Sequence, residues 1–281
     1  MPNRRVSGRK ALLVMSAARA EGIMPEGDTV YRQARMLHAA LAGGALIRCD
    51  LRVPAFATVD LSGQPVHEVV SRGKHILMRI GSSTVLSHLK MEGQWRLYAP
   101  GEPWRRPAHQ ARAVLATKTA QAVGFELGLL EVLPTAREAD AVGHLGPDLL
   151  GPDWNEQEAV RRLSEHPEVP IAVALLDQRN LAGLGNEYVN ELCFVRGMLP
   201  TRPVRDADLP KTVALAHRMI SANKNRVIRT TTGETRRGRT SYVHRREGMP
   251  CRRCGTPIHC MSLGRNDLEL RETWYCPTCQ S

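Results

Sequence analysis

Apolar residues recur at helical spacing soon after residue 24. Val30, Ala34, Leu37 and Leu41 fall at i, i+4, i+7 and i+11, which predicts an amphipathic helix. Asp28 is placed to cap its start, and Gly43-Gly44 to end it. The pattern then changes to short strand-like runs at 45–53, 75–80, 84–89, 112–117 and 121–127, broken by turns such as Ser62-Gly63 and Gly81-Ser82. This half reads as mainly β, a sandwich. The segment 145–153 contains two Gly-Pro steps, suits neither helix nor strand, and marks a domain boundary. Helical spacing returns at 155–165, 171–178, 187–195 and 208–223. The expected architecture is α+β: an N-terminal β-sandwich domain over 24–150, a helical domain over 151–243 and a C-terminal module over 244–281.

Composition narrows the function classes. The 281 residues are 42% hydrophobic and 24% charged, which suits a folded chain. A net charge of +11 points to a polyanionic partner, with nucleic acid first. The longest purely apolar run, 171–176, is far short of the roughly 18 residues that cross a bilayer, so no membrane role is expected. Within 224–253, ten Lys or Arg stand against two Glu, a local charge of +8. Such a run is either a solvated face or, beside a metal module, a phosphate-binding surface.

Five of the seven cysteines lie between Cys251 and Cys279. Clustering of this kind favours a metal site in a reducing compartment over a disulfide framework, and a cytoplasmic protein is expected. Cys251-x2-Cys254 and Cys276-x2-Cys279, separated by 21 residues, form two thiolate knuckles able to close a tetrahedral shell around one structural Zn2+. His259 and Cys260 lie between the pairs, without a partner at knuckle spacing, and are not expected to be ligands.

Two further segments carry candidate chemistry. In 181–188, Gly183 and Gly185 permit close backbone approach, and Asn186 is placed to cap a helix whose N–H groups would bind phosphate. The same residues also suit a plain helix connection. In Met24-Pro25-Glu26-Gly27-Asp28, loss of Met24 would expose a secondary amine able to attack an aldehyde-like sugar carbon, with Glu26 beside it to move protons. Pro25 equally suits a helix start. Ahead of it, residues 1–23 carry five basic residues and one acid, and read as a signal peptide or as a start codon called too early, outside the fold in either case.

Together these segments resemble the formamidopyrimidine-DNA glycosylase and endonuclease VIII family of base-excision repair enzymes. MPEGDTV resembles the family's amino terminus, SRGKHIL its lysine-bearing strand and SHLKMEGQW its wedge loop. LLDQRNLAGLGNEYVNELCF resembles its helix-two-turns-helix motif, and CRRC with RETWYCPTC its zinc-finger hairpin. The resemblance spans nearly all of 24–281, and implies a helix-two-turns-helix domain at 151–243 and a zinc finger at 244–281. It implies Pro25 as nucleophile, Glu26 as the acid that helps open the deoxyribose ring, and Lys74 as a phosphate holder beside the lesion. It further implies DNA contacts from Met91 as a wedge, Asn186 and the finger arginine Arg271, with Arg265 as the alternative for the last. Met91 in a strand context also suits core packing.

Two departures refine that expectation. Where formamidopyrimidine-type members carry an Arg-Phe pair, this chain reads Val123-Gly-Phe-Glu-Leu-Gly-Leu-Leu130. The difference favours the endonuclease VIII branch, and hence removal of oxidised pyrimidines over 8-oxoguanine from damaged DNA, with the β and δ elimination of that branch; a monomer is expected. Second, Pro25 inside the 281-residue chain is an amide and cannot form an iminium. A chain that keeps its leader would be a non-catalytic binder of damaged or structured DNA. Charge and the four cysteines alone would also suit an RNA-binding zinc ribbon.

Overall fold

The computed structural model describes residues 25–281, and both readings of 1–23 fall outside the described residues. Helix α1 (Gly27–Leu41) buries Val30, Ala34, Leu37 and Leu41, the four positions set by the helical spacing. Asp28 is not its cap. Glu26 occupies that position, while Asp28 lies buried in the first turn and forms an ion pair described below. The helix ends with Ala42 in an extended conformation and Gly43 at a φ of 80°, a value that favours glycine.

Eight strands follow: β1 (Arg48–Leu51), β2 (Val66–Arg72), β3 (His75–Ile80), β4 (Ser83–His88), β5 (Gln94–Tyr98), β6 (Ala111–Ala116), β7 (Gln121–Phe125) and β8 (Leu129–Pro134). They form two antiparallel sheets of four, ordered β1-β6-β7-β5 and β2-β3-β4-β8. α1 packs against β2, β3 and β5, and its apolar stripe joins Val69, Ile76, Met78, Val85, Trp95 and Leu115 in one core. β3 also carries an apolar residue, Leu77, on its outer face, for a structural reason. Ile76, Met78 and Ile80 enter the sandwich, whereas Leu77 and its cross-strand partner Leu86 pack outward against Val142, Leu145 and Ala182.

The second unit holds α3 (Glu156–Ser164), α4 (Ile171–Leu176), α5 (Asn186–Arg196) and α6 (Leu209–Asn223), preceded by the short α2 (Glu138–Val142). Asn155 caps α3 by accepting from Glu158 N–H at 3.0 Å, and Asp208 caps α6 through Lys211 N–H at 3.2 Å. α4 stops at Leu176, before the expected end, because Asp177 turns extended and accepts the Arg179 N–H at 3.0 Å. The Gly-Pro segment is not a loose linker: Leu149 N–H donates to Ala182 O at 3.1 Å, and Ala182 N–H to Pro147 O at 2.9 Å.

A final hairpin, β9 (His259–Leu263) and β10 (Arg271–Tyr275), packs Trp274 and Cys276 with Phe194 at the end of α5. The basic stretch leading to it is only partly a solvated face, since Arg229, Thr230, Val243 and His244 are buried. Glu191, fully buried on α5, accepts N–H bonds from Tyr242, Val243 and His244 at 2.7, 2.8 and 2.9 Å and the Thr231 hydroxyl. One carboxylate thus secures the approach to the hairpin. Among the described residues no helix is long and apolar enough to cross a membrane.

Candidate active site

The start of α1 and the start of α5 meet. Gly27 N–H donates to Gly183 O at 2.9 Å, and a Cβ on Gly27 would come within 2.9 Å of the Gly183 backbone. Next to this contact, the fully buried Glu26 carboxylate accepts from Gly185 N–H at 2.6 Å and from Glu187 N–H at 2.9 Å. Glu26 therefore starts α1 with its backbone and caps α5 with its side chain. A Cβ on Gly185 would sit 2.4 Å from the Glu26 carboxyl carbon, so glycine at 185 admits the carboxylate.

This corrects the expectation for Asn186. Gly185 is the N-cap and Asn186 the first helical residue, while the two neighbouring N–H groups serve Glu26 rather than a phosphate. Asn186 is 6% exposed, and its Nδ2 donates to Glu272 O at 2.8 Å, which ties α5 to β10.

Burial pushes the Glu26 carboxyl above its ordinary pKa, opposed by the positive charges of Arg229 and then Lys74, with Glu187 and Asp28 adding to the rise. Lys74 is half-buried in the two-residue turn between β2 and β3. Gly73 takes a φ of 57° there and Lys74 does not take a positive one, the sign pattern of a type II′ hairpin. Gly73 N–H is held by Asp148 Oδ2 at 2.7 Å, which fixes the turn against the helical unit. Burial lowers the Lys74 pKa, Glu26 opposes that, and the charges of Arg229 and Arg271 lower it further. Arg271, exposed at the start of β10, thus directs its field at Lys74, whereas Arg265 is committed to an ion pair with Asp177.

Met91 is 57% exposed in the loop between β4 and β5, so it does not pack in the core. The loop is tight. Lys90 has a φ of 53°, and a Cβ on Gly93 would sit 2.4 Å from Leu89 O. The connection from β7 to β8 offers no second projecting apolar group: Leu127 is buried and Glu126 pairs with Arg106.

The four thiols of Cys251, Cys254, Cys276 and Cys279 lie within 4.8 Å of one another, with Cys251–Cys279 at 3.9 Å and Cys254–Cys276 at 3.4 Å. Zn–S bonds of about 2.3 Å imply S–S edges of about 3.8 Å in a tetrahedron, so the donor set fits. Burial and the neighbouring thiols push the Cys279 thiol up to about 12, a penalty that a bound dication reverses. His259 and Cys260 stand outside this cluster.

The family model for the formamidopyrimidine-DNA glycosylase N-terminal domain matches residues 24–126, and that for the formamidopyrimidine-DNA glycosylase H2TH domain matches 145–237. The DNA-(apurinic or apyrimidinic site) lyase Nei2 of Mycolicibacterium smegmatis is 52% identical over 259 residues, covering 92% of this chain and 99% of its own. The chain belongs to the formamidopyrimidine-DNA glycosylase and endonuclease VIII family. Within it, a probable endonuclease 8 2 of Streptomyces coelicolor is 50% identical, covering 92% of this chain and 94% of its own. A formamidopyrimidine-DNA glycosylase of Latilactobacillus sakei is 28% identical over 92% of this chain and 98% of its own. These identities place the chain with the endonuclease VIII branch. The fold matches that of a MutM structure solved with carbocyclic 8-oxo-G DNA, at a TM-score of 0.74 and 23% identity over 92% of this chain and 100% of that one.

Sequence reasoning missed three contributors: Asp28 in its actual role, Glu187 and Arg229. The last was legible only as one of the ten basic residues in its stretch.

Proposed function

We propose that the chain is a bifunctional DNA glycosylase and abasic-site lyase of base-excision repair, active in a form that begins at Pro25. The observation that carries this reading is the seating of the Pro25-Glu26 segment at the mouth of α5, with the Glu26 carboxyl facing Lys74 and Arg229. The 52% identical relative bears the name of an abasic-site lyase, which supports it. In this reading the Pro25 amine attacks the sugar C1′ and expels the base, and Glu26 delivers a proton to the opening ring. Loss of the C2′ proton from the iminium then breaks the 3′ C–O bond, and δ elimination releases the sugar remnant. Lys74 steadies a phosphate beside the lesion, Met91 fills the stack vacated by the flipped nucleotide, and Arg271 and Asn186 hold the backbone. For Asn186, that contact exchanges its bond to Glu272 O for one to phosphate. The working units are 24–150, 151–243 and 244–281, in a cytoplasmic monomer. A leader that remains attached leaves Pro25 an amide, and such a chain binds DNA without cutting it.

The substrate class is tested with two duplexes, one carrying an oxidised pyrimidine and one carrying 8-oxoguanine. Faster excision of the pyrimidine, with product strands ending in 3′-phosphate, is expected, because the β7–β8 connection lacks the projecting Arg-Phe pair. Preference for 8-oxoguanine would contradict the assignment.

We assign one structural Zn2+ to Cys251, Cys254, Cys276 and Cys279. A closed four-sulfur site holds the hairpin and leaves no position for substrate. Cys276→Ser is expected to lose stoichiometric zinc and loosen the hairpin, measured as metal content and protease sensitivity. Zinc retained at one per chain would show that the ligand set is wrong.

Arg271→Ala is expected to keep its zinc, to weaken binding of damaged and undamaged duplex alike, and to reduce the slope of log K against log salt by about 1. Arg265→Ala should leave that slope unchanged, since Arg265 is engaged by Asp177. The opposite pair of results would move the finger contact to Arg265.

A further inference from the structure

Arg229 lies between α6 and the hairpin, in a stretch whose exposed members face solvent, yet it is only 4% exposed. Its guanidinium grips Asp28 with two bonds, Nε to Oδ2 at 2.9 Å and Nη2 to Oδ1 at 2.6 Å. Nη1 donates to Glu187 Oε2 at 2.8 Å and lies 3.7 Å from Glu26 Oε1. The guanidinium also stands 5.0 Å from the centre of the Tyr188 ring, whose hydroxyl donates to Asp28 at 3.1 Å. The backbone beside it is locked, because Thr230 N–H donates to Asn223 Oδ1 and Asn223 Nδ2 returns a bond to Thr230 O, both at 2.9 Å.

One cation therefore bridges three carboxylates, two from the start of α1 and one from the first turn of α5. Carboxylates at helix N-termini are favoured by the macrodipole, but three so close and so buried repel one another. A buried ion group of this kind is not the cheapest way to stabilise a fold, since apolar side chains of the same volume often do as well. Its placement against Glu26 gives it a use. We propose that Arg229 is the positioning residue for Glu26 in base removal: it clamps the catalytic N-terminal segment onto the helical unit and sets the electrostatic field in which the Glu26 carboxyl exchanges its proton. This inference rests on the function proposed above.

The charged groups facing Glu26 are Arg229 from the post-α6 stretch, Lys74 from the β2–β3 turn, Glu187 from α5 and Asp28 from α1, joined, in a chain that begins at Pro25, by the amine of that preceding residue. Two backbone N–H groups of the 185–187 segment complete its surroundings. Arg229 is the strongest of the cationic influences that oppose burial. In return, the carboxylates Glu26, Asp28 and Glu187 outweigh the effect of burial on the guanidinium and keep it firmly charged. Removing the positive charge destabilises the Glu26 carboxylate and moves its titration to higher pH. An opposite charge within 4–6 Å changes a carboxyl pKa by about 1–3 units.

The test compares single-turnover base removal across pH 5–9 (roughly the range that brackets ordinary carboxyl and amine titrations) for chains beginning at Pro25. The variants are Arg229→Gln, Arg229→Lys and the charge-paired double variant Arg229→Gln with Asp28→Asn, each checked for zinc content and cooperative unfolding. The limb absent from Glu26→Gln identifies the Glu26 titration. Arg229→Gln and the double variant are expected to move that limb upward by about 1 unit or more, while Arg229→Lys, which keeps the charge and loses the fork, holds it in place. Borohydride trapping on a preformed abasic site should change less than base removal in every variant. A folded Arg229→Gln chain with its limb unmoved overturns the proposal, and so does a Lys limb displaced as far as the Gln limb. Should neither neutral variant fold, the Lys variant decides alone, a held limb supporting the proposal and a displaced one overturning it. If the unmutated chain neither excises nor becomes trapped, the proposed function fails instead.

Discussion

A chain whose first residue is Pro25 is trapped covalently on abasic-site DNA by borohydride, and the 281-residue chain is not. The difference is chemical. An iminium needs a nitrogen with a free lone pair, and Pro25 supplies one only as an amino terminus, because behind Met24 it is an amide. A free α-amino group titrates near pKa 7.7–8.0, so a substantial neutral fraction exists at about pH 7–8. The position is already prepared: Glu26, directly following, is fixed by two backbone bonds at the mouth of α5, so the proline beside it is held against the helical unit. Trapping should therefore fall to background in the long form while nonspecific duplex binding persists, since the basic surface is common to both. Equal trapping of the two forms would assign the chemistry to another amine, with Lys74 the first candidate, because burial lowers its pKa and it faces the same carboxyl.

The second large effect is expected at Glu26. Glu26→Gln removes the proton donor while keeping the side chain's size, and general acid–base groups contribute about 10²–10⁴ in rate. Base removal should fall by that factor. Processing of a preformed abasic site should fall far less, because its open-chain aldehyde fraction needs no ring opening. Burial raises the Glu26 pKa, which keeps a protonated fraction available at higher pH than an exposed glutamate allows. The sign follows: the acid role is complete below the Glu26 pKa and lost as pH rises through it. The substitution also carries a structural cost, since one backbone N–H of the 185–187 segment then faces an NH₂ group, about 1–3 kcal/mol for an unsatisfied buried donor. Unfolding curves separate the two effects. A folded variant with undiminished base removal would exclude Glu26 as the acid.

Local pattern carried much of the fold. Val30, Ala34, Leu37 and Leu41 predicted α1 because all four enter one core, and 75–80 matched β3 at both ends. β2 and β8 carry no strand signal because their sequences, VHEVVSR and LLEVLP, mix polar and apolar residues without regular alternation, and in β5 the alternation of QWRL is broken by Tyr98 and spans only five residues. The reason is that parts of both sheet faces are buried, by the sandwich on one side and by satellite clusters on the other. The four-cysteine cluster was fully legible, since knuckle spacing is a local property.

The surroundings of Glu26 were legible only in part. Asp28 suits a helix cap by every local criterion, and its real partner lies 201 residues away. Arg229 looks like any member of a basic run. What buries it is the convergence of two helix starts and a post-helix stretch, which no window along the chain contains. Asn186 likewise looked like a cap because the side chain that caps α5, that of Glu26, lies 159 residues before Gly185 in the chain.

If catalysis runs through the amine of Pro25, the sugar is bonded to that nitrogen, and locating the sugar on the protein decides the matter. The chain beginning at Pro25 is reduced with borohydride during reaction with abasic-site DNA, the DNA and protein are digested, and the adduct is mapped by tandem mass spectrometry. The added mass is expected on the nitrogen of Pro25 in the N-terminal peptide. An adduct on Lys74 or another lysine, with Pro25 unmodified, would contradict it.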